Sequence, residues 1–214
     1  IPMLFPYHFD SPLTLSAVKI QRENLKELER QHFADYSVFE LIANRTQFCD
    51  DLLKQLWQQF ELDKAYLTLI AVGGYGRQEM FPLSDLDVLI LSKEERGIEA
   101  EEKIAQFVQF LWDCGFDVGH SVRSLEECEK EGKQDITIAT NLLESRYLSG
   151  DLSLFNVLGE ILKKPDFWAV KSFFDAKVQE QIERYQRYHN TSYNLEPDLK
   201  YSPGGLRDLH LLYW

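Results

Sequence analysis

Two short apolar runs on either side of a glycine-rich turn dominate the pattern of the chain. Tyr66 to Val72 is mostly aliphatic or β-branched and stops at Gly73-Gly74, which predicts a buried strand ending in a tight turn. Leu86 to Leu91 predicts a second strand, with one anomaly. Asp87 is a charge where a buried strand should have none. Side chains alternate along a strand, so Asp85 and Asp87 fall on the same side, their Cα atoms roughly 7 Å apart. Two carboxylates on one face repel unless cations neutralise them.

Around this centre the pattern is largely helical. Residues 1 to 14 carry Pro2, Pro6 and Pro12 among aromatics and predict an extended arm that packs by its rings. A polar helix is expected from Ser16 to Arg30, and an amphipathic one from Ser37 to Phe60, where Leu41, Ile42, Phe48, Leu52, Leu53, Leu56, Trp57 and Phe60 recur at helical spacing. After a charged turn, Ile104, Phe107, Val108, Leu111 and Trp112 mark another helix ending near Cys114-Gly115. Phe116 to Arg123 alternates, with Val118, His120 and Val122 on an apolar side and Asp117, Gly119, Ser121 and Arg123 on a polar one, a third strand.

Everything beyond Ser124 reads as helix: ITIATNLLESRYL, then DLSLFNVLGEILKK, then a long helix with the apolar line Phe167, Val170, Phe174, Val178, Ile182 and Tyr185. Residues 189 to 205 are rich in Asn, Pro, Gly and Ser and predict a loop ending in a Pro-Gly-Gly turn. The order strand, turn, strand, helix, strand predicts a small α/β (α+β) sheet with flanking helices and a C-terminal helical lobe. The expected division is 1–62 for the arm and its helices, 63–130 for the catalytic core and 131–214 for the helical lobe. The chain begins at Ile1 without a Met and stops at Trp214 inside a helical pattern, so a piece of a longer protein is expected.

Composition narrows the partners. With 35 acidic and 23 basic residues the net charge is −12, which repels a polyanion such as DNA or tRNA. No apolar run is long enough to span a membrane and no leader pattern opens the chain, so a soluble cytoplasmic protein is expected. Cys49, Cys114 and Cys128 are widely spaced and odd in number, which predicts buried free thiols and neither a disulfide framework nor a zinc knuckle.

The chemistry lies in the first motif. A glycine pair after a strand lets backbone approach a bulky anion, and the N–H groups that follow can cradle phosphate oxygens. Gly74-Tyr75-Gly76 lacks the last glycine of a dinucleotide fingerprint, and the chain has no Gly-Lys-Ser/Thr for a Walker loop. Ser84-Asp85-Leu86-Asp87 adds hard oxygen ligands beside the turn, the combination that holds Mg²⁺ ions on a nucleoside triphosphate.

A glycine pair followed about ten residues later by Asp-x-Asp on a strand, with a later strand carboxylate, resembles the DNA polymerase β nucleotidyltransferase superfamily. VGGYGRQEMFPLSDLDVLIL, LWDCGFDVGHSVRSLEEC, TNLLESRYLSGD and YNLEPDLKYSPGGLRDLH together resemble the N-terminal nucleotidyltransferase part of the bacterial bifunctional uridylyltransferase and uridylyl-removing enzymes that modify the PII nitrogen-signalling protein. The resemblance covers nearly the whole chain from residue 15. It implies transfer of UMP from UTP to a tyrosine hydroxyl of PII, release of pyrophosphate, and regulation by glutamine. It also implies downstream HD and ACT domains, neither of which lies in this chain. The resemblance makes Gly73 and Gly74 the phosphate turn, Arg77 and Ser84 nucleotide contacts, and Asp85 and Asp87 ligands of Mg²⁺, with Mn²⁺ as a substitute.

Several readings stay open. In relatives the third carboxylate stands where this chain has Gly119, so Asp117 is either a shifted ligand and general base or only a neighbour. Arg77 is a phosphate contact or a salt-bridge partner of Glu79. Gly204, Gly205, Arg207 and Asp208 form a turn and helix cap, and the resemblance alone puts them near the site. His120 reads as a core histidine and Phe167, Phe174 and Tyr185 as core aromatics. Glu94, Glu95, Glu99, Glu101 and Glu102 read as a solvated face. The competing functions are an adenylyltransferase or another relative with the same chemistry, and a nucleotide-binding lobe without turnover.

Overall fold

The computed structural model describes residues 4–94, 96–191 and 198–212. Expectations for Pro2, for Glu95, for the loop at 192–197 and for the last two residues lie outside the described residues. The chain opens with an extended arm whose Phe5 and Leu13 are buried and whose Tyr7 and Phe9 rings pack on Phe48. Helix α1 (Leu15–Gln31) is capped by Thr14, and α2 (Val38–Gln59) by a capping box between Ser37 and Glu40. Strand β1 (Leu67–Ala71) follows, then a single helical turn, α3 (Gly73–Gly76), and β2 (Leu86–Ser92).

Helix α4 (Ile98–Asp113) carries the chain over to β3 (Val118–Ser124), which lies parallel to β2. Helices α5 (Leu125–Gln134) and α6 (Ile136–Leu143) lead to β4 (Arg146–Gly150), and α7 (Leu152–Leu162), α8 (Val170–Arg187) and α9 (Leu206–His210) complete the order. The strands are arranged β3-β2-β1-β4, with β1 antiparallel to both of its neighbours. This is the mixed α/β sheet with flanking helices that the sequence predicts.

Both faces of the sheet are covered, which is why β1 and β2 read as unbroken apolar runs. Leu67, Leu69, Val88 and Ile90 join α2 and α4 in one cluster, where Trp57 meets Phe107 edge-on at 5.7 Å between ring centroids. Ile70, Leu89 and Leu91 join Cys128, Leu142 and Leu158 in the other. Asp87 alternates with Val88 and so points to this second face. Cys49, Cys114 and Cys128 are buried and free, as expected.

Three expectations are corrected. RYL, read as the tail of a helix, belongs to β4: its register against β1, Ile70 opposite Tyr147, supplies backbone hydrogen bonds that local pattern does not reveal. His120 is exposed, because β3 is an outer strand and its ring sits edge-on against Trp112, itself 47% exposed. In the long C-terminal helix Phe167 is buried just before α8, but Val170, Phe174 and Ile182 face outward. The inner stripe of α8 is polar, Lys177 and Arg184, because Arg184 and Gln181 both bond Asp208 of α9.

Candidate active site

Gly73 leaves β1 with φ +57°, a left-handed conformation that glycine takes without steric penalty. The chain then makes one helical turn, closed by Arg77 N–H on Gly73 O at 3.0 Å and by Glu79 N–H on Gly74 O at 2.8 Å. The glycines are thus a helical turn and not the plain tight turn expected. A β-carbon on Gly76 would stand 2.0 Å from the Glu144 carbonyl oxygen, so α3 lies hard against the end of α6. Arg146 fastens it there: its Nε and Nη2 donate to the Gly76 and Tyr75 carbonyls at 3.3 and 3.2 Å. The Tyr75 hydroxyl donates to Asp50 Oδ1 at 2.7 Å.

Asp87 stands directly beside this turn. A β-carbon on Gly73 would lie 3.2 Å from Asp87 Oδ2. Asp85 is exposed just ahead of β2, and the Ser84 hydroxyl accepts the Phe81 N–H at 3.1 Å. Gly73, Gly74, Arg77, Ser84, Asp85 and Asp87 all line one cleft of about 470 Å³, a size usual for small-molecule sites. Asn141 of α6, Glu144 just after it, and Lys200 and Arg207 complete the lining.

Burial pushes the Asp87 carboxyl above its usual range, and the neighbouring Asp85 and Asp117 push it further, while Lys200 and Arg207 oppose them. Two basic groups from the far end of the chain therefore act on the carboxylate at the centre of the site. Arg77 is held between two carboxylates, by Nη2 to Glu79 at 2.9 Å and by Nη1 to Glu144 at 2.5 Å, so its salt-bridge reading is realised on the cleft wall. His210 lies 3.7 Å from Glu79, and burial followed by the charge of Arg77 pulls its imidazole below the usual range.

Asp117 does not line the cleft; its carbonyl accepts the Leu86 N–H at 2.8 Å, which places it one step before β3 on the face of Asp87. Among the described residues no three His, Cys, Asp or Glu side chains converge tightly enough to hold a metal ion. Asp85 and Asp87 still suit Mg²⁺, which often takes one or two protein carboxylates and completes its shell with substrate phosphates and water.

Of Gly204, Gly205, Arg207 and Asp208, only Arg207 lines the cleft. Gly204, Gly205 and Asp208 shape the turn that presents it. Asp208 accepts the Gly204 N–H at 2.6 Å, Arg184 at 2.5 Å and Tyr185 at 2.5 Å, and Gly205 caps α9. Asn141, Glu144 and Lys200 were missed as wall residues. Their only signal was membership of TNLLESRYLSGD and YNLEPDLKYSPGGLRDLH, which mark a resemblance and no role.

Comparison with known proteins adds to this geometry. Residues 23–121 match the family described as "Putative nucleotidyltransferase DUF294", and residues 172–214 match "GlnD PII-uridylyltransferase". Over 213 residues, 99% of its length, the chain is 68% identical to the bifunctional uridylyltransferase/uridylyl-removing enzyme of Haemophilus influenzae strain PittEE, of which it covers 25%. The chain is a homologue of part of the bifunctional uridylyltransferase/uridylyl-removing enzymes. The enzyme of the same name from Pasteurella multocida strain Pm70 is 66% identical over 99% of the chain, and that of Vibrio cholerae strain ATCC 39315 is 45% identical over 100% of it. The chain spans about a quarter of the length of these relatives. The nucleotidyltransferase relationship agrees with the sheet and with the glycine turn beside Asp87.

Proposed function

We propose that this chain supplies the transfer site of a UTP-dependent uridylyltransferase, which moves UMP from UTP to a tyrosine hydroxyl of the PII protein and releases pyrophosphate. The observation that carries the reading is the close approach of Gly73 and Asp87 inside a cleft that Lys200 and Arg207 also line. Such a cleft offers backbone and cations to a triphosphate on one side and carboxylates to metal ions on the other. The printed name of the relatives supports the choice of uridylyl over other groups.

In this reading Asp85 and Asp87 hold Mg²⁺, with Mn²⁺ as a substitute. The bound ions supply activation of the attacking oxygen and neutralisation of the leaving pyrophosphate. The chain's own residues position the substrates. The Gly73-Gly74 turn, Ser84, Lys200 and Arg207 orient the triphosphate, and Arg77 exchanges one of its carboxylate partners for a phosphate oxygen. The acceptor phenol has an ordinary pKa of about 10, so its proton must be drawn away as the oxygen attacks. Asp117, on the same face as Asp87, takes it as general base.

Glutamine control, the uridylyl-removing activity and the HD and ACT domains belong to the larger enzyme in this reading. No helix among the described residues is long and apolar enough to cross a membrane, and a cytoplasmic site of action is part of the proposal. Incubation with α-labelled UTP or ATP, with and without PII, tests it. Label on PII from UTP alone is expected; label on PII only from ATP would assign an adenylyltransferase instead.

A further inference from the structure

The parallel register sets Gly119 directly opposite Asp87, and a β-carbon at 119 would stand 2.3 Å from Asp87 Oδ1. The other oxygen, Oδ2, faces Gly73. One carboxylate therefore looks two ways, toward the glycine turn and toward β3. On the β3 side lies a second cavity of about 240 Å³, walled by Gly119, Ser121 and Arg123 of β3 and by Ile138 and Asn141 of α6. It shares Asp87 and Asn141 with the triphosphate cleft and so adjoins it at Asp87. The missing side chain at 119 is what gives the Asp87 carboxylate room against β3. Beside the cavity, β3 is one of the two outer strands of the sheet among the described residues, with Gly119 and His120 exposed.

We propose that this second cavity and the outer edge of β3 receive the protein acceptor: an extended segment lies along β3 and inserts its hydroxyl-bearing aromatic side chain beside Asp87. The inference rests on the uridylyl-transfer reading. Displacement at phosphorus runs with the attacking and leaving oxygens in line. With the pyrophosphate leaving on the Gly73-Gly74 side, the attacking oxygen enters on the far side of the α-phosphorus, and the cavity on the Gly119 side of Asp87 offers that approach. The acceptor oxygen bonds the α-phosphorus as the bond from that phosphorus to its bridging oxygen breaks. The electron pair leaves with pyrophosphate, and the phenolic proton passes through water to Asp117, which lines neither cavity but stands one residue before β3 on the Asp87 face. A strand edge recognises extended backbone through main-chain hydrogen bonds, while a pocket beside it selects the side chain. Any side chain at 119 would collide with the Asp87 carboxylate, so glycine here keeps that group at the edge of the second cavity, which supplies the room for a phenol.

Disulfide trapping in the full-length protein tests this. Ser121→Cys and, separately, Leu83→Cys, at a position that lines the triphosphate cleft and not the second cavity, are mixed with a PII whose modified tyrosine is replaced by cysteine. Cys49, Cys114 and Cys128 of this chain are buried, and the full-length protein without either substitution gives the background rate from any other thiol. Trapping at position 121 should be faster than at position 83 by about tenfold or more, as proximity raises effective concentration. Equal rates, or faster trapping at 83, would overturn the assignment. In parallel, Ser121→Trp should cut PII labelling about a hundredfold with UTP affinity within about twofold. Loss of UTP affinity as well would give the cavity to the nucleoside and also overturn it. Failure of the unaltered protein to label PII from α-labelled UTP would instead sink the transfer reading itself.

Discussion

Arg146 of β4 grips both carboxylate oxygens of Asp50 on α2, at 2.6 and 3.0 Å, while the same guanidinium holds the carbonyls of Tyr75 and Gly76. One side chain thus ties the sheet, the long N-terminal helix and the glycine turn together. The Asp50 side chain is only 8% exposed. Removing one partner strands a buried charge, so Asp50→Ala or Arg146→Ala should each cost about 3–5 kcal/mol, read as a shift in the denaturant midpoint. Arg146→Lys should recover only part of this, because an ammonium cannot copy the two-pronged contact.

The glycines of the turn should separate into two kinds. A β-carbon on Gly76 meets backbone oxygens on two sides, Glu144 at 2.0 Å and Ala71 at 3.0 Å, and neither can swing away. Gly76→Ala should lose about 3 kcal/mol of stability. At Gly74 the nearest atoms stand 3.8 Å off, so Gly74→Ala should melt close to the parent. Its expected defect is in UTP binding, about tenfold, because the methyl keeps the phosphates from the backbone. Calorimetry with UTP on the two variants checks both statements.

Arg207 reaches the cleft from the far end of the chain and counters the burial that pushes up Asp87. Arg207→Ala should raise the KM for UTP about tenfold or more, the worth of a charged hydrogen bond to phosphate. Steady-state kinetics at fixed PII would show it, and an unchanged KM would remove Arg207 from the triphosphate contacts.

Acid should loosen the C-terminal turn in a defined window. Burial raises the Asp208 carboxyl, but hydrogen bonds from Tyr185, Gln181, Arg184 and Gly204 outweigh it and hold the group at about 2. A carboxylate depressed on folding contributes its stability above its unfolded value, about 3.9, and loses it as pH falls through the folded value. The contribution is about 2 kcal/mol, present at neutral pH and lost between about pH 4 and pH 2. Denaturation midpoints taken down that range should fall less steeply in Asp208→Asn than in the parent.

How far the sequence discloses this molecule depends on whether the signal is local. β1, β2 and α4 were legible because each carries its own apolar period, and Asp87 stood out because charge interrupts a buried run. β4 was not: it is five residues long, only Leu148 is buried in it, and β1 rather than local propensity decides its state. His120 was misread because alternation assigns a side of the strand and says nothing of whether a helix covers that position. The same holds for the site. Gly73 to Asp87 is one contiguous stretch and could be read directly, whereas Asn141, Glu144 and Lys200 are brought to the cleft by tertiary packing and carry no mark of their own.

The central claim is that Asp87, wedged between the glycine turn and β3, serves transfer of the α-phosphoryl group of UTP. The most direct measurement follows PII incubated with UTP labelled at the α or the γ position and Mg²⁺, with the full-length protein and its Asp87→Asn variant. The account predicts stable label on PII from the α position alone, lowered about a thousandfold or more in the variant, since metal-ion stabilisation of this kind is worth several kcal/mol. Label arriving from the γ position, or undiminished α transfer by Asp87→Asn, would contradict it.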